Sequence, residues 1–437
     1  MLGKTFTLLA LVASIGAFTV SPSLASGKST TAESGAWFDT SSNAAAGRAT
    51  HGYTSNGSTR RENRVIARNR VLSSQPHAVL SGTARWKVEP VPSPVNRTEA
   101  ELTSVSCPAQ NFCLAVGYSF PQGSGFSTLV ESWNGSTWSI ISSPNVSGYS
   151  NQLFGVSCIS ATNCQAVGNY NDPAGDFYTL VESWNGSAMS IVKSPNSANG
   201  HGELYGVSCV SSTFCAAVGD STRLNNTTLV ETWNGASWSL VPSPSPGTIS
   251  SLLQAVSCVQ TTQCTAAGGY STTGPLRTLV EVWNGTAWSV VASPNKGKSS
   301  TSNLLAGVSC ASANACEAVG SSGKATLVES WDGSTWSVVK SPNPSSLARF
   351  NGVSCVSATN CKAVGSFRIL AESMTLTLVE SWNGRTWSVS ATPDPAAFDD
   401  IPDGDLRGGS CSISGCQAVG TTQSAVSDVA PLAETGP

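Results

Sequence analysis

Residues 153–196 read LFGVSCISATNCQAVGNYNDPAGDFYTLVESWNGSAMSIVKSPN. Four short runs in this stretch are rich in β-forming residues: xGVSC (strand A), CxAVG (B), TLVExW (C) and SIVKSP (D). Turn residues separate them, and Asn-Gly between C and D is a strong hairpin signal. The following residues repeat the order as LYGVSC, CAAVG, TLVETWNG and WSLVPSP. Across the chain the first cysteines of successive copies lie 51, 51, 49, 52, 45 and 56 residues apart. A fixed period of roughly 40–50 residues marks a solenoid or a propeller. No unit has a helical period, which excludes a solenoid of helix pairs. Four antiparallel strands per unit make one propeller blade.

The ends of the array set the blade count. Arg85–Pro94 reads RWKVEPVPSP, a strand D with no A, B or C before it. The last unit has A and B (Gly409–Gly420) and a C-like run, Leu432-Ala433-Glu434-Thr435, but no D. Pairing the spare D with the incomplete unit closes a ring and removes two exposed sheet edges. The sequence therefore predicts an all-β fold over 85–437: a seven-bladed β-propeller of four-stranded antiparallel blades, closed by its N-terminal strand.

The 14 cysteines form seven close pairs: Cys107/Cys113, Cys158/Cys164, Cys209/Cys215, Cys258/Cys264, Cys310/Cys316, Cys355/Cys361 and Cys411/Cys416. Each pair spans an A–B turn, which predicts one disulfide per blade. Zinc is the rival reading, but it prefers four Cys/His ligands, and these pairs stand alone with no neighbouring histidine. Met1–Ala25 has a basic start at Lys4, an apolar run Phe6–Val20 and a Ser23-Leu24-Ala25 cleavage pattern, as in a secretory signal. The apolar run falls short of the ~20 residues that span a bilayer, so a membrane anchor is the alternative reading. Residues 26–84 are rich in Ser, Gly, Ala and Asn, with Arg60, Arg61, Arg64, Arg68 and Arg70. They read as a disordered linker, its basic run either solvated or touching an anionic cell wall. The expected product is a secreted, extracellular monomer with no membrane span after signal removal.

Composition narrows the chemistry. Lys+Arg 23 against Asp+Glu 26 gives a net charge of −3, which argues against nucleic-acid binding through a broad basic field. Only His51, His77 and His201 are present, and no GxSxG nucleophile elbow occurs. No metal and no cofactor is expected. What recurs in every unit reads as scaffold. That covers the strand-C glutamates Glu131, Glu182, Glu231, Glu281, Glu329, Glu380 and Glu434, expected to bond structurally. It also covers the tryptophan pairs flanking each C–D turn, expected to pack between blades.

The turn Ser330-Trp331-Asp332-Gly333-Ser334-Thr335-Trp336 resembles the Asp-box hairpin of sialidase-type propellers, shortened by one residue and with Asn for Asp in most copies. The Trp-bearing hairpins are also similar to those of kelch and galactose-oxidase propellers, although the kelch double glycine is missing. The whole unit resembles the secreted, Cys-paired propeller repeats of Gram-positive, actinobacterial-type proteins. That resemblance implies the fold and no chemistry. Leu432–Gly436 resembles the LAxTG sorting motif of some Gram-positive sortases, and it also aligns with strand C.

The A–B and C–D turns belong on one rim, and the B–C and D–A connections, which vary, on the other. Variable loops on a rigid scaffold are where binding usually sits. The departures there are Asp172, Asp176, Phe177 and Tyr178, then Arg223 and Asn225, then Arg277, then Phe367, Arg368 and Glu372. The longest insertion, 394–407, carries Asp399, Asp400, Asp403 and Asp405, as a solvated acidic loop or a Ca²⁺ site. The expected function is non-catalytic binding or scaffolding, recognising a cell-surface glycan or protein through this rim. The alternative is a carbohydrate-active hydrolase using paired carboxylates from Asp172, Asp176 or the Asp399–Asp405 group. A sialidase-like site needs clustered arginines, whereas Arg223, Arg277, Arg349 and Arg368 are scattered along the chain.

Overall fold

The computed structural model describes residues 86–121, 125–197, 200–221, 226–370, 374–393, 403–423 and 429–437. The proposed signal and linker lie outside the described residues, as do Arg223, Asn225, Glu372, Asp399 and Asp400. All the regular structure described is β. A lone strand β1 (Lys87–Glu89) precedes blade 1, formed by β2 (Arg97–Ala109), β3 (Phe112–Pro121), β4 (Ser127–Trp133) and β5 (Trp138–Ile141). Blade 2 is β6 (Ser150–Ser160), β7 (Asn163–Asn171), β8 (Phe177–Trp184) and β9 (Met189–Val192). Blade 3 is β10 (Glu203–Ser211), β11 (Phe214–Ser221), β12 (Thr227–Trp233) and β13 (Trp238–Leu240). Blade 4 is β14 (Ser250–Gln260), β15 (Gln263–Ser271), β16 (Arg277–Trp283) and β17 (Trp288–Val291). Blade 5 is β18 (Asn303–Ser312), β19 (Ala315–Ser322), β20 (Ala325–Trp331) and β21 (Trp336–Val338). Blade 6 is β22 (Ala348–Ser357), β23 (Asn360–Ile369), β24 (Met374–Trp382) and β25 (Trp387–Ser390). The last unit holds β26 (Gly404–Ser412), β27 (Gly415–Gln423) and β28 (Val429–Gly436).

Each unit is an antiparallel meander, and β1 pairs antiparallel with β28, Lys87 facing Thr435 and Glu89 facing Ala433. The N-terminal strand thus supplies the fourth strand of blade 7, with Trp86 buried beside Gly436. Blades 7 and 1 also touch through one parallel pairing, Glu99 with Val429. Seven bonds of 2.9–3.0 Å run once around the ring. In each, the amide of a blade's first cysteine donates to the serine hydroxyl just before the corresponding cysteine of the preceding blade. The bond from Cys107 N to Ser410 Oγ joins blade 1 to blade 7 and completes the circle.

All seven predicted disulfides are present, one per blade: Cys107–Cys113, Cys158–Cys164, Cys209–Cys215, Cys258–Cys264, Cys310–Cys316, Cys355–Cys361 and Cys411–Cys416. Their placement differs from a staple on the rim surface, because the two halves of each bridge are not equivalent. The second cysteine is a core residue: Cys113, Cys164, Cys215, Cys264, Cys316, Cys361 and Cys416 are only 1–4% exposed, each within an apolar cluster. The reason is strand order. Strand B is flanked by A and C, so Cys164 faces Cys158 on one side and Trp184 on the other. Cys215, Cys264, Cys316 and Cys361 are likewise covered, opposite Trp233, Trp283, Trp331 and Trp382. The first cysteines, on the innermost strands, are half-buried.

The rest of the core lies between blades. Val167 and Val181 of blade 2 pack with Leu204, Val207, Leu229 and Trp238 of blade 3. The strand-D tryptophans therefore pack between blades, as their recurrence suggested. The strand-C tryptophans do something else: Trp233, Trp283 and Trp382 donate to carbonyls of their own A–B turns, at Ser212, Thr261 and Ala358. The recurring glutamates are fully buried, and five find their partner in the preceding blade. The serine of the Ser-Pro pair after strand D donates to the carboxyl of the next blade at 2.5–2.8 Å: Ser143 to Glu182, Ser194 to Glu231, Ser243 to Glu281, Ser293 to Glu329 and Ser341 to Glu380. Glu131 has no such partner among the described residues, and Ser93, which stands in the matching place, is exposed.

Candidate functional site

The A strands are innermost. Residues of all seven line a central cavity of about 320 Å³, from Thr103 and Ser104 of blade 1 to Arg407 and Gly408 of blade 7. Small residues let these strands crowd the axis: a Cβ on Gly206 would stand 3.0 Å from the Cα of Ala255 in the next blade. The A strands start at the rim carrying the variable loops, so residues before the glycine lie toward that mouth.

Two positions there depart from the repeat, the fourth and sixth residues before each first cysteine. In blades 6, 7 and 1 they assemble an ionic network. Arg349 donates to Asp405 Oδ2 at 2.7 Å, and Asn351 donates to Asp405 Oδ1 at 2.8 Å. Arg407 lies 3.2 Å from Asp405 and 3.9 Å from Glu101. Burial pushes the Asp405 carboxyl up, but Arg407 and Arg349 outweigh it and hold the group below its ordinary value. The same Asp405 holds the Arg407 guanidinium protonated above its ordinary range.

Blades 1 to 3 supply an aromatic and acidic wall. Phe154 packs at 6.4 Å from Tyr118 and at 5.7 Å from Tyr205. Behind Tyr205, Glu203 and Asp220 face each other across β10 and β11. Asn169 donates to Glu203 at 2.5 Å, Asn226 to Asp220 at 2.8 Å, and the Tyr205 hydroxyl reaches Asp220 at 3.4 Å. Burial, reinforced by Asp220, pushes Glu203 up to about 7. Burial likewise pushes Asp220 up to about 6. Blades 4 and 5 contribute Leu252, Gln254, Leu304 and Ala306 at the same two positions, a quiet wall without charge.

The residues singled out from sequence fall into separate groups. Asp405 is a buried member of β26 inside the ionic network, not part of a solvated acidic loop. Asp403 begins that strand's approach, hydrogen-bonded to Thr375 and within the field of the exposed Arg368. Asp172 caps its own B–C turn, accepting from the amides of Ala174 and Asp176 at 2.9 and 3.0 Å. Tyr178 reaches Asp172 at 3.4 Å, and Asp176 lies 3.8 Å from His201 Nδ1. Arg277 opens β16, paired with Tyr270 in blade 4. The bridged cysteines stand at the A–B end of each blade, opposite the loop-bearing rim. Buried there in disulfides, Cys164, Cys215, Cys264, Cys316 and Cys361 hold strands together and present no thiol to a ligand. Among the described residues, no group of three or more His, Cys, Asp or Glu side chains is placed to hold a metal ion.

Sequence reading passed over Glu101, Phe154, Glu203, Tyr205 and Asn351, which sit at the A strands, and Arg407, which closes the 394–407 insertion whose aspartates alone were singled out. The signal was present in the repeat columns. The residue fifth before the cysteine is Leu or Phe in every blade, while its two neighbours change from Glu and Thr to Gln and Phe, Arg and Asn, or Asp and Arg.

No helix among the described residues is long and apolar enough to cross a membrane. Seven disulfides match an oxidising environment outside the cytosol. No family model matches the sequence, and no curated protein matches it. Among solved structures, the chain is similar to YCF48 bound to D1 peptide, at 12% identity and a TM-score of 0.51, over 83% of this chain and 99% of that one. It is also similar to an ulvan lyase of polysaccharide lyase family PL25 bound to -[GlcA(1-4)Rha3S]-, at 8% identity and a TM-score of 0.49, over 77% of this chain and 94% of that one. At such identities the likeness to the first is one of fold, a propeller-like all-β architecture.

Proposed function

We propose that this chain is a secreted, non-catalytic binding protein that recognises a cell-surface glycan or protein at the loop-bearing mouth of its propeller. One observation carries the reading. The recurring polar residues join strands, turns and blades, whereas the side chains at the two variable A-strand positions gather at the mouth. There they pair an ionic wall (Arg349, Asn351, Asp405, Arg407, Glu101) with an aromatic one (Tyr118, Phe154, Tyr205). Rigid strands hold both walls, which favours binding by limiting the ordering cost. A basic linker, if it touches an anionic cell wall, would keep the propeller at the surface.

Glycan and surface-protein arrays, probed with the wild type and with Phe154→Ala and Arg349→Ala, test this. Both side chains are accessible enough to be removed without opening the core. The expected result is a retained ligand, left chemically unchanged, whose binding falls at least tenfold in both variants. Equal binding by all three proteins would overturn the assignment to the mouth.

The second reading, a carbohydrate-active hydrolase, has one specific support in the opposed pair Glu203 and Asp220, whose raised values suit a general acid at neutral pH. Release of reducing sugar, abolished by Glu203→Gln, would favour it over simple binding.

A further inference from the structure

A second recess opens on the loop-bearing rim between blades 1 and 2, away from the central mouth. It encloses about 640 Å³, within the roughly 300–1,000 Å³ of small-ligand sites. Its walls are the B–C exit of blade 1 (Phe126, Ser127), the D–A connection 145–149, and the B–C turn of blade 2 at Asn171–Gly175. Tyr149 stands at its lip, 39% exposed. That ring does not hang free. It meets Tyr170 edge-on at 5.3 Å, and Tyr170 stacks on Tyr178 at 5.2 Å and 22°. Tyr178 in turn rests 5.9 Å from His201, so a tier of rings reaching back to a buried histidine fixes Tyr149 in place.

The polar lining is equally specific. Asp172 is the single charged side chain among the lining residues, and no cation accompanies it there. Two backbone amides orient its Oδ1, while among the described residues Oδ2 has only the long 3.4 Å contact with the Tyr178 hydroxyl. Asn145 is exposed; its Oδ1 is engaged at 2.9 Å by the Thr128 amide, and among the described residues its Nδ2 has only a 3.4 Å contact. An anchored aromatic face beside a fixed carboxylate acceptor and a nearly free amide donor suits a sugar ring, whose C–H face stacks while its hydroxyls donate and accept. The lone negative charge disfavours uronates, sulfates and phosphates.

We infer that this recess is a subsite for a neutral oligosaccharide, Tyr149 stacking on the ring and Asp172 accepting from its hydroxyls. The inference rests on reading the loop-bearing rim as a binding surface but uses none of the residues at the mouth. Titration of the whole chain by ligand-observed NMR with cellotriose, maltotriose, N-acetylchitotriose and a trigalacturonate tests it. Binding of at least one neutral trimer is expected, weakened tenfold or more by Tyr149→Ala and by Asp172→Asn, and unchanged by Phe154→Ala at the mouth. Asp172→Asn keeps the oxygen that caps the turn, so its loss of binding does not follow from a collapsed loop. Three results would overturn the subsite: no neutral trimer bound, binding that survives Tyr149→Ala, or trigalacturonate bound as tightly as the neutral trimers. Binding that fails in Phe154→Ala but not in Tyr149→Ala would sink the subsite and leave the mouth standing.

Discussion

A carboxyl buried against a single hydroxyl is a costly residue, and here it recurs around the ring. Burial pushes Glu131, Glu231 and Glu380 up to about 8 and Glu182, Glu281 and Glu329 up to about 7, against an ordinary 4.5. Where a serine donates to the carboxyl, it lowers the value, but less than burial raises it, so near neutrality the groups raised to about 8 stay mostly protonated and those raised to about 7 stay partly so. Between pH 4.5 and 8 the folded chain then holds more protons than the unfolded one, and stability falls as pH rises. It is full below the unfolded value and lost through the folded values. The melting temperature should drop between pH 5 and pH 8. Glu182→Gln, which cannot ionise, should flatten that slope and melt higher than wild type at pH 8. A melting curve independent of pH over this range would show that the carboxyls are not held neutral. The sequence exposed the recurrence of these glutamates and marked them as structural. It did not reveal the partner, because a repeat shows what each unit contains and not which serine of one unit meets which glutamate of the next. The cysteines teach the same lesson: spacing revealed that Cys158 bridges Cys164, but only the lateral order of strands shows that Cys164 is core and Cys158 is not.

At the scale of elements, the C–D hairpins were legible from Asn-Gly, but the device that holds them was not. Trp283 pairs directly with Trp288, leaving a four-residue loop, with Gly285 at φ +94°. Asn284 Oδ1 accepts from the amides of Thr286 and Ala287 at 2.9 Å each, bracing the loop from inside. Asp332 does the same in blade 5, accepting from the amides of Ser334 and Thr335 at 2.8 Å, and the bond from the Ser334 hydroxyl, followed by these two, pulls its carboxyl down to about 2. Asn284→Asp should therefore be neutral to within about 0.5 kcal/mol, whereas Asn284→Ala should lose about 1 kcal/mol. Urea denaturation midpoints measure both; an equal loss in the two variants would mean that the acceptor is not what braces the turn. The candidate site was less legible than the hairpins for a related reason. Loop length drew attention to Asp172 and Asp403. Asp405 came to notice the same way, but the mouth residues of blades 1 to 3 lie by the A strands, where hydrophobic pattern reads as core and only column-by-column comparison separates Phe154 or Tyr205 from their constant neighbours.

For the whole molecule, the rims, the mouth and the blade contacts all follow from a closed circle. Closure rests on one short strand pairing of three residue pairs, Lys87–Thr435, Val88–Glu434 and Glu89–Ala433, together with the buried Trp86, the Cys107–Ser410 bond and the single bridge between Glu99 and Val429. The outer strands elsewhere are only three or four residues long, which keeps their open edges short. Without β1, β28 would become a longer bare edge at the one seam the chain does not join covalently. Two chains differing by four residues, one beginning at Trp86 and one at Pro90, isolate that contribution. Thermal melting of the pair is the most direct measurement: a closed ring requires the shorter chain to melt about 5 °C lower or more, and identical melting temperatures would contradict closure.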